Sequence, residues 1–145
     1  MSGLSMLRRL REEARDREQE AFARRLSELR LAEELLRRAT ARWESQRERV
    51  RARADARLSV VAGGAAAAIT VLHARHESWL REELEVLAFG RDVARRELAV
   101  RSGRRDDARD VLERAEASLA VLEELLERRA AEARRRRARR EDEVS

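Results

Sequence analysis

The sequence lacks proline, cysteine, lysine, asparagine and tyrosine, and it has little glycine. Without cysteine, disulfides and thiolate metal sites are excluded. Without proline, and with five glycines in 145 residues, few positions would interrupt a helix. Aromatic residues make up 3% of the chain, which leaves little to fill a wide globular core. These absences favour long helices that pack along narrow seams.

Several functional classes are excluded by the same reasoning. A P-loop requires a phosphate-binding lysine, and the chain has none. Catalytic carboxylates need an enclosed pocket, which a pair of helices does not provide. The longest uncharged run, 58–74, is mostly alanine with a glycine pair inside, too short and too weakly apolar for a membrane span, and no signal peptide follows Met1. We therefore expect a cytoplasmic protein that is not an enzyme and uses no cofactor, metal or small-molecule substrate.

Alanine, leucine, glutamate and arginine dominate the sequence, and these residues lose least on entering a helix. In the first half, apolar residues recur at the seven-residue spacing of a coiled-coil seam. The members of this first ladder are Phe22, Leu29, Leu36, Trp43 and Val50, with Leu26 and Ala54 beside them. Before the ladder, Leu4, Leu7, Leu10 and Ala14 continue the stripe with a phase slip.

A second and longer ladder follows in the other half of the chain. Its members are Leu84, Leu98, Leu112, Leu119 and Leu126, with Leu87, Ala94, Ala108, Ala115 and Leu122 three residues after ladder positions. Arg91 and Arg105 occupy ladder positions, and an adjacent valine stripe at 86, 93 and 100 predicts a broad, imperfect seam there. Gly90 and Gly103 mark softer points in this helix, because glycine costs up to about 1 kcal/mol relative to alanine.

The glycine pair Gly63-Gly64 lies between the ladders and is the best place for the chain to reverse. We predict an all-α fold: a long two-helix antiparallel coiled-coil hairpin with a longer second helix, forming one domain over 1–145. The first arm covers about 5–61, the turn about 62–65 and the second arm about 66–140. Residues 1–62 carry a net charge of +5 and residues 63–127 carry −4, so antiparallel arms would attract each other.

The remaining segment, 128–145, carries a net charge of +4 and contains the run Arg134-Arg135-Arg136-Arg137-Ala138-Arg139-Arg140. This run could bind an acidic protein surface, nucleic acid or anionic lipid, or form a solvated tail. It lacks the interleaved aromatic residues that stack on bases. An acidic protein surface is therefore the favoured partner over nucleic acid.

Two histidines and two tryptophans are candidate site residues. His73 and His76 lie three apart on one helical face beside Glu77, a spacing that could grip a metal ion, but no third firm ligand accompanies them. We interpret them as ordinary polar residues near the turn. Trp43 belongs to the first ladder, and Trp79 is also interpreted as packing.

The sequence also resembles a known family. The segment SLAVLEELLERRAAEAR at 118–134, which runs through the arginine tract into REDE at 140–143, resembles the C-terminal end of the FliJ family. The opening MLRRLREE at 6–13, the arm lengths and the total length are similar as well. FliJ proteins are soluble stalk and escort proteins of bacterial flagellar type III export. The injectisome counterpart, the YscO family, is similar in outline, and the two branches are not distinguished.

The resemblance implies a non-enzymatic stalk whose paired ends enter the pore of a hexameric export ATPase. It also implies contacts with an export gate membrane protein and with export chaperones, which would hold the protein peripherally at the cytoplasmic face of the inner membrane. By this resemblance the ATPase-facing residues are Leu7, Leu10, Leu122, Leu126, Arg128, Arg129, Arg134, Arg135, Arg136, Arg137, Arg139 and Arg140. The implied gate contacts are Val60, Val61, Ile69 and Leu72.

Two other functions remain open from the residues alone. One is a cytoplasmic coiled-coil scaffold that dimerises and binds no ATPase. The other is a basic helical protein that binds nucleic acid through the tract at 134–140. Binding to an export ATPase would separate the stalk from both alternatives.

Overall fold

The computed structural model describes residues 3–64 and 66–145, and the described residues form two helices and no strand. Helix α1 spans Gly3–Ala62 (60 residues) and helix α2 spans Ala67–Val144 (78 residues). The helices pack against each other, so the predicted fold class, an all-α two-helix hairpin with a longer second helix, is confirmed. Neither helix contains a stretch, among these residues, that is long and apolar enough to cross a membrane.

The chain divides into two compact units. The turn unit, Glu28–Ser102, contains the end of α1, the glycine pair and the beginning of α2. The α1 residues Glu28 and Arg57 contact Arg101 and Glu77 of α2, respectively. Because the partner's number falls as the α1 number rises, the two helices of this unit run antiparallel.

The reversal of the chain follows from the backbone of the glycine pair. The Gly63 and Gly64 N–H groups donate to the carbonyls of Ser59 and Val61, at 3.0 and 3.1 Å, and so bond to carbonyl groups of the last turn of α1. Gly64 has φ of +75°, a left-handed conformation that glycine adopts without steric cost. Ala65, the last residue of the predicted turn, lies outside the described residues.

The terminal unit consists of Met1–Ser27 and Gly103–Ser145. Here the beginning of α1 packs antiparallel to α2: Arg11 donates to the carbonyl of Ser118 at 2.9 Å, and Arg8 lies 3.8 Å from the carboxylate of Glu123. The α2 helix continues well beyond these contacts. Every residue from 132 to 145 is exposed, so the end of α2 projects as a solvated helix.

Both predicted ladders form the seam between the helices. Each ladder residue is buried or half-buried: Phe22, Leu26, Leu29, Leu36, Trp43, Val50 and Ala54 in α1, and Leu84, Leu87, Ala94, Leu98, Ala108, Leu112, Ala115, Leu119, Leu122 and Leu126 in α2. Arg91 and Arg105, which occupy ladder positions, are half-buried as well. The seven-residue spacing therefore identified the packed faces over most of the chain.

Two sequence predictions about the seam are wrong, the first of them in part. Near the start of α1, the predicted stripe is half right: Leu4 and Ala14 are half-buried, but Leu10 is 55% exposed and Leu7 is also exposed, whereas Arg11 contacts α2. The valine stripe beginning at Val86 does not broaden the seam, since its three members are exposed. Each valine follows a seam position by two residues, and two residues turn a helix by about 200°.

Candidate partner-binding surfaces

The end of α2 presents a dense set of exposed cations. The predicted ATPase-facing arginines on it are all exposed: Arg128, Arg129, Arg134, Arg135, Arg136, Arg137, Arg139 and Arg140. Arg128 pairs with Glu124 at 2.5 Å and Arg136 lies 3.9 Å from Glu132. The other six have no ion-pair partner within the described part of the chain. We call the eight arginines the basic end; the six without an ion-pair partner can bind an anionic partner without breaking an internal contact.

A groove lies beside the basic end in the terminal unit. It is lined by Ser5 and Arg8 of α1 and by Glu123, Leu126, Glu127 and Ala130 of α2. Of the leucines predicted to face the ATPase, Leu126 lines this groove, while Leu7 and Leu10 are exposed on α1. Leu122 is 3% exposed and packs in the seam. In this position the Leu122 side chain stabilises the packing of the two helices and is not accessible to a partner.

An apolar surface surrounds the glycine pair in the turn unit. Of the predicted gate contacts, Val61, Ile69 and Leu72 are exposed and Val60 is half-buried. Sequence reasoning missed two further members, Leu58 and Val71, which are exposed to a similar extent. We call these six residues the turn surface. Large apolar side chains clustered on a surface are typical of a site that contacts another protein.

Glu77, considered with the histidines as a metal ligand, is instead committed to arginines. It is 3% exposed, and its two carboxylate oxygens lie 2.7 Å from Arg57 Nε and 2.6 Å from Arg81 Nη2. The Arg57 contact is an ion pair without hydrogen-bond geometry, because neither atom has a well-directed hydrogen bond. Within residues 3–64 and 66–145, no three acidic or histidine side chains are grouped to hold a metal ion.

The two tryptophans lie in different environments. Trp43 is half-buried in the seam, with the guanidinium carbons of Arg91 and Arg47 at 3.9 and 5.2 Å from its ring centroid. This cation–π contact explains how an arginine is accommodated at a ladder position. Trp79 is 52% exposed and stacks on His76, with ring centroids 5.8 Å apart. Trp79 was interpreted as a packing residue, but about half of its surface is exposed and it lies outside the seam.

Polar contacts across the seam were not predicted from the sequence. Gln46 is buried, and its Nε2 donates to the Leu80 carbonyl at 3.1 Å and to Glu83 at 3.3 Å. Arg101 bonds to Glu97 and Glu28 at 2.6 and 2.9 Å, and these hydrogen bonds raise the pKa of its guanidinium. Gln46 is three residues after Trp43 and Arg101 three residues after Leu98. That spacing could have identified both residues as seam positions.

Comparisons with protein-family models, with curated proteins and with solved structures find no match for this chain.

Proposed function

We propose that this protein is a non-enzymatic component of a bacterial type III export apparatus, similar to FliJ and YscO proteins, that acts as the stalk of a hexameric export ATPase. The observation that carries the proposal is the basic end of α2: a continuous helix that extends beyond its contacts with α1 and exposes eight arginines, six of which have no ion-pair partner among the described residues. A rigid cationic helix of this kind is suited to enter an acidic opening in another protein.

Apolar residues beside the basic end support the same role. Leu7 and Leu10 are exposed, and Leu126 lines the adjacent groove of the terminal unit. Charges alone give orientation and fast association, whereas exposed apolar side chains supply the area that a lasting contact buries. The terminal unit offers both kinds of contact, so it is the unit that we assign to the ATPase.

We assign the turn surface to the export gate. It is apolar, has exposed members on both sides of the glycine pair, and belongs to the turn unit. In this proposal one unit contacts the ATPase and the other contacts the gate, and export chaperones are further partners. The protein would then be held peripherally at the cytoplasmic face of the inner membrane.

The test replaces Arg134, Arg135, Arg136 and Arg137 together by alanine. Helicity and thermal stability should change little, because alanine is at least as good a helix former and these side chains are exposed. A matched control replaces four exposed arginines elsewhere in the terminal unit that have no ion-pair partner among residues 3–64 and 66–145: Arg17, Arg24, Arg104 and Arg114. Both variants lose the same formal charge.

The measurement is a competition in which the immobilised protein meets the cognate export ATPase and an excess of mixed RNA. We expect the 134–137 variant to lose ATPase binding and stimulation of ATP hydrolysis, while the control variant keeps both. Wild-type binding should weaken with salt, since exposed charges are screened over about 8 Å at physiological ionic strength. If both variants lose ATPase binding equally, the contact depends only on net charge and is a non-specific electrostatic attraction. Loss of RNA binding alone would reject the stalk role and favour the nucleic-acid function.

A further inference from the structure

Helix α2 carries a second apolar line that does not face α1. Its members are Leu72, Trp79, Val86, Val93 and Val100, spaced seven residues apart. All five belong to the turn unit and are between 46 and 70% exposed. A seven-residue apolar repeat is what a helix needs to pack along another helix. We call this line the outer ladder.

The outer ladder is confined to one stretch of α2. The next two places in the seven-residue series are Asp107 and Arg114, both exposed. The ladder thus covers four consecutive heptads, or about 42 Å of helix at about 1.5 Å per residue. A partner helix of about 28 residues would match this length, which is enough to form a stable pairing of apolar residues.

One flank of the outer ladder is formed by α1. A groove in the turn unit is lined by Arg49, Ala52, Arg53 and Ala56 of α1 together with His76, Trp79 and Leu80 of α2. Arg49 therefore lies on the same side of the helix pair as Trp79. In α1, Leu35, Arg42 and Arg49 follow one another at seven-residue spacing, so all three lie along this flank.

The charge left unbalanced on this flank is positive. Arg42 and Arg49 are exposed and have no ion-pair partner in the described part of the chain. On the α2 side, Glu97 pairs with Arg101, whereas Glu83 accepts a hydrogen bond from the neutral amide of Gln46 and keeps its negative charge. One carboxylate therefore remains against the two arginines, and the net charge of the flank stays positive. A partner that covers the ladder would therefore gain from acidic side chains along the edge that faces α1.

We propose that the outer ladder is the docking site for an amphipathic helix of another protein, with an apolar heptad repeat and glutamate or aspartate along one flank. A second copy of this chain fits less well, because it would bring the same uncompensated arginines, Arg42 and Arg49, to the interface. Recognition by an apolar stripe with a charged edge is a common mode of helix binding. The inference is independent of the ATPase contact, which involves the terminal unit.

The probe is a synthetic helical peptide of about 28 residues with leucine in a heptad repeat and glutamate at the flanking positions. Two further peptides replace the glutamates by arginine or the leucines by serine. Trp43→Phe leaves Trp79 as the only tryptophan, and Trp79 lies on the ladder. We expect the Glu-flanked peptide to shift Trp79 emission to shorter wavelength and to bind at least about tenfold more tightly than either other peptide.

Two pairs of variants separate the ladder from general surface effects. Val86→Glu should weaken binding of the Glu-flanked peptide at least about tenfold, whereas Val121→Glu should not. Val121 is 65% exposed and also follows a seam leucine by two residues, but it lies outside the ladder. Arg42→Glu with Arg49→Glu should reverse the preference in favour of the Arg-flanked peptide. The control variant Arg17→Glu with Arg30→Glu makes the same change in charge away from this flank, and it should keep the preference for the Glu-flanked peptide.

Three results would overturn the proposal. The first is no Trp79 response to the Glu-flanked peptide up to about 100 μM, an affinity too weak for a specific site. The second is equal binding of the Glu- and Arg-flanked peptides. The third is a wild-type dimer, seen by sedimentation equilibrium, that Val86→Glu dissociates and Val121→Glu does not, which would show that a second copy covers the ladder. None of these results bears on the basic end, so this inference and the ATPase contact fail separately, although Leu72 is shared with the turn surface that we assign to the gate.

Discussion

The two compact units differ in what lies between their helices. The turn unit buries Leu29, Ala32 and Leu80 together with two polar residues, Gln46 and Glu77, both of which have partners across the seam. In the terminal unit, the buried residues among those described are Leu119 and Leu122, both from α2. On its α1 side, Arg8 and Arg11 reach across the seam.

The same seven-residue repeat forms the seam in both units, but the units differ in how well that seam is packed and in which surface they expose. The turn unit pairs its two buried polar residues, Gln46 and Glu77, with partners across the seam and still exposes the outer ladder. The terminal unit has a thinner apolar seam, and much of its cationic surface is left unpaired. A unit that is weakly packed internally and strongly charged externally is suited to gain stability from a partner. The comparison therefore predicts larger mutational effects inside the turn unit than in the terminal unit.

The largest expected effect is the burial of a charge in either seam. Leu29→Glu and Leu119→Glu each place an unpaired carboxylate where the leucine is about 5% exposed or less. We expect each to cost about 3 kcal/mol or more in the free energy of unfolding, with Leu29→Glu the costlier. Urea unfolding followed by circular dichroism measures this.

The control for both variants is Leu35→Glu, because Leu35 is a turn-unit leucine that is 47% exposed. Its cost should stay within about 0.5 kcal/mol. If Leu119→Glu costs no more than this control, the terminal unit is not packed as described.

A smaller effect is expected from the buried carboxylate. Glu77→Gln removes a charge that lies between Arg57 and Arg81, and the side chain of Glu77 is nearly inaccessible. Both arginines keep substantial contact with water, so the loss should be about 1–2 kcal/mol rather than that of a fully buried pair. The matched variant is Glu12→Gln, whose 3.0 Å contact with Arg8 is exposed.

Glu12→Gln should cost less than about 0.5 kcal/mol, as exposed pairs usually do. Thermal or urea unfolding of the two variants at low and high salt decides the matter. Equal costs would mean that Glu77 contributes no more to stability than a surface carboxylate. Its ion pairs would then not distinguish the seam of the turn unit from that of the terminal unit.

The glycines give a prediction with opposite signs in the two units. Gly64→Ala places a side chain at φ +75° and should destabilise by about 1 kcal/mol. Gly103→Ala, in a helix with nothing within 4 Å of the new Cβ atom, should stabilise by up to about 1 kcal/mol. Melting temperatures by circular dichroism test both, and destabilisation by Gly103→Ala would indicate that this helical segment has a different conformation.

Much of the fold follows from sequence spacing alone. The two ladders identified the packed faces, and the glycine pair located the reversal, because both depend on local helix geometry and backbone freedom. The outward direction of the valine stripe at Val86 was missed for a physical reason. Where a helix carries two apolar stripes, periodicity shows both but does not say which one a neighbouring helix covers.

The candidate surfaces were predicted less completely. The basic end is visible in the sequence because its charge density is extreme. Leu122 was assigned to a surface although it is buried, because family resemblance transfers a segment and not the orientation of each side chain. Gln46 and Glu77 were missed as seam residues because a hydrophobic periodicity includes only apolar side chains, although both residues lie at ladder spacing from Trp43 and Leu84.

The smallest expected effect tests the register at the beginning of α1. Leu10→Ala should change the free energy of unfolding by no more than about 0.5 kcal/mol, because Leu10 is 55% exposed and alanine favours helix. Leu26→Ala, at a half-buried seam position of the same unit, should cost about 1–2 kcal/mol, less than a fully buried leucine would. Urea unfolding of both variants gives the difference directly. A larger cost for Leu10→Ala than for Leu26→Ala would restore the leucine stripe of the sequence to the seam and displace Arg11 from its contact with Ser118. Leu7 and Leu10, which we assign to the ATPase contact, would then lie in the seam and not on the surface of the terminal unit. The basic end alone would have to supply the contact with the ATPase.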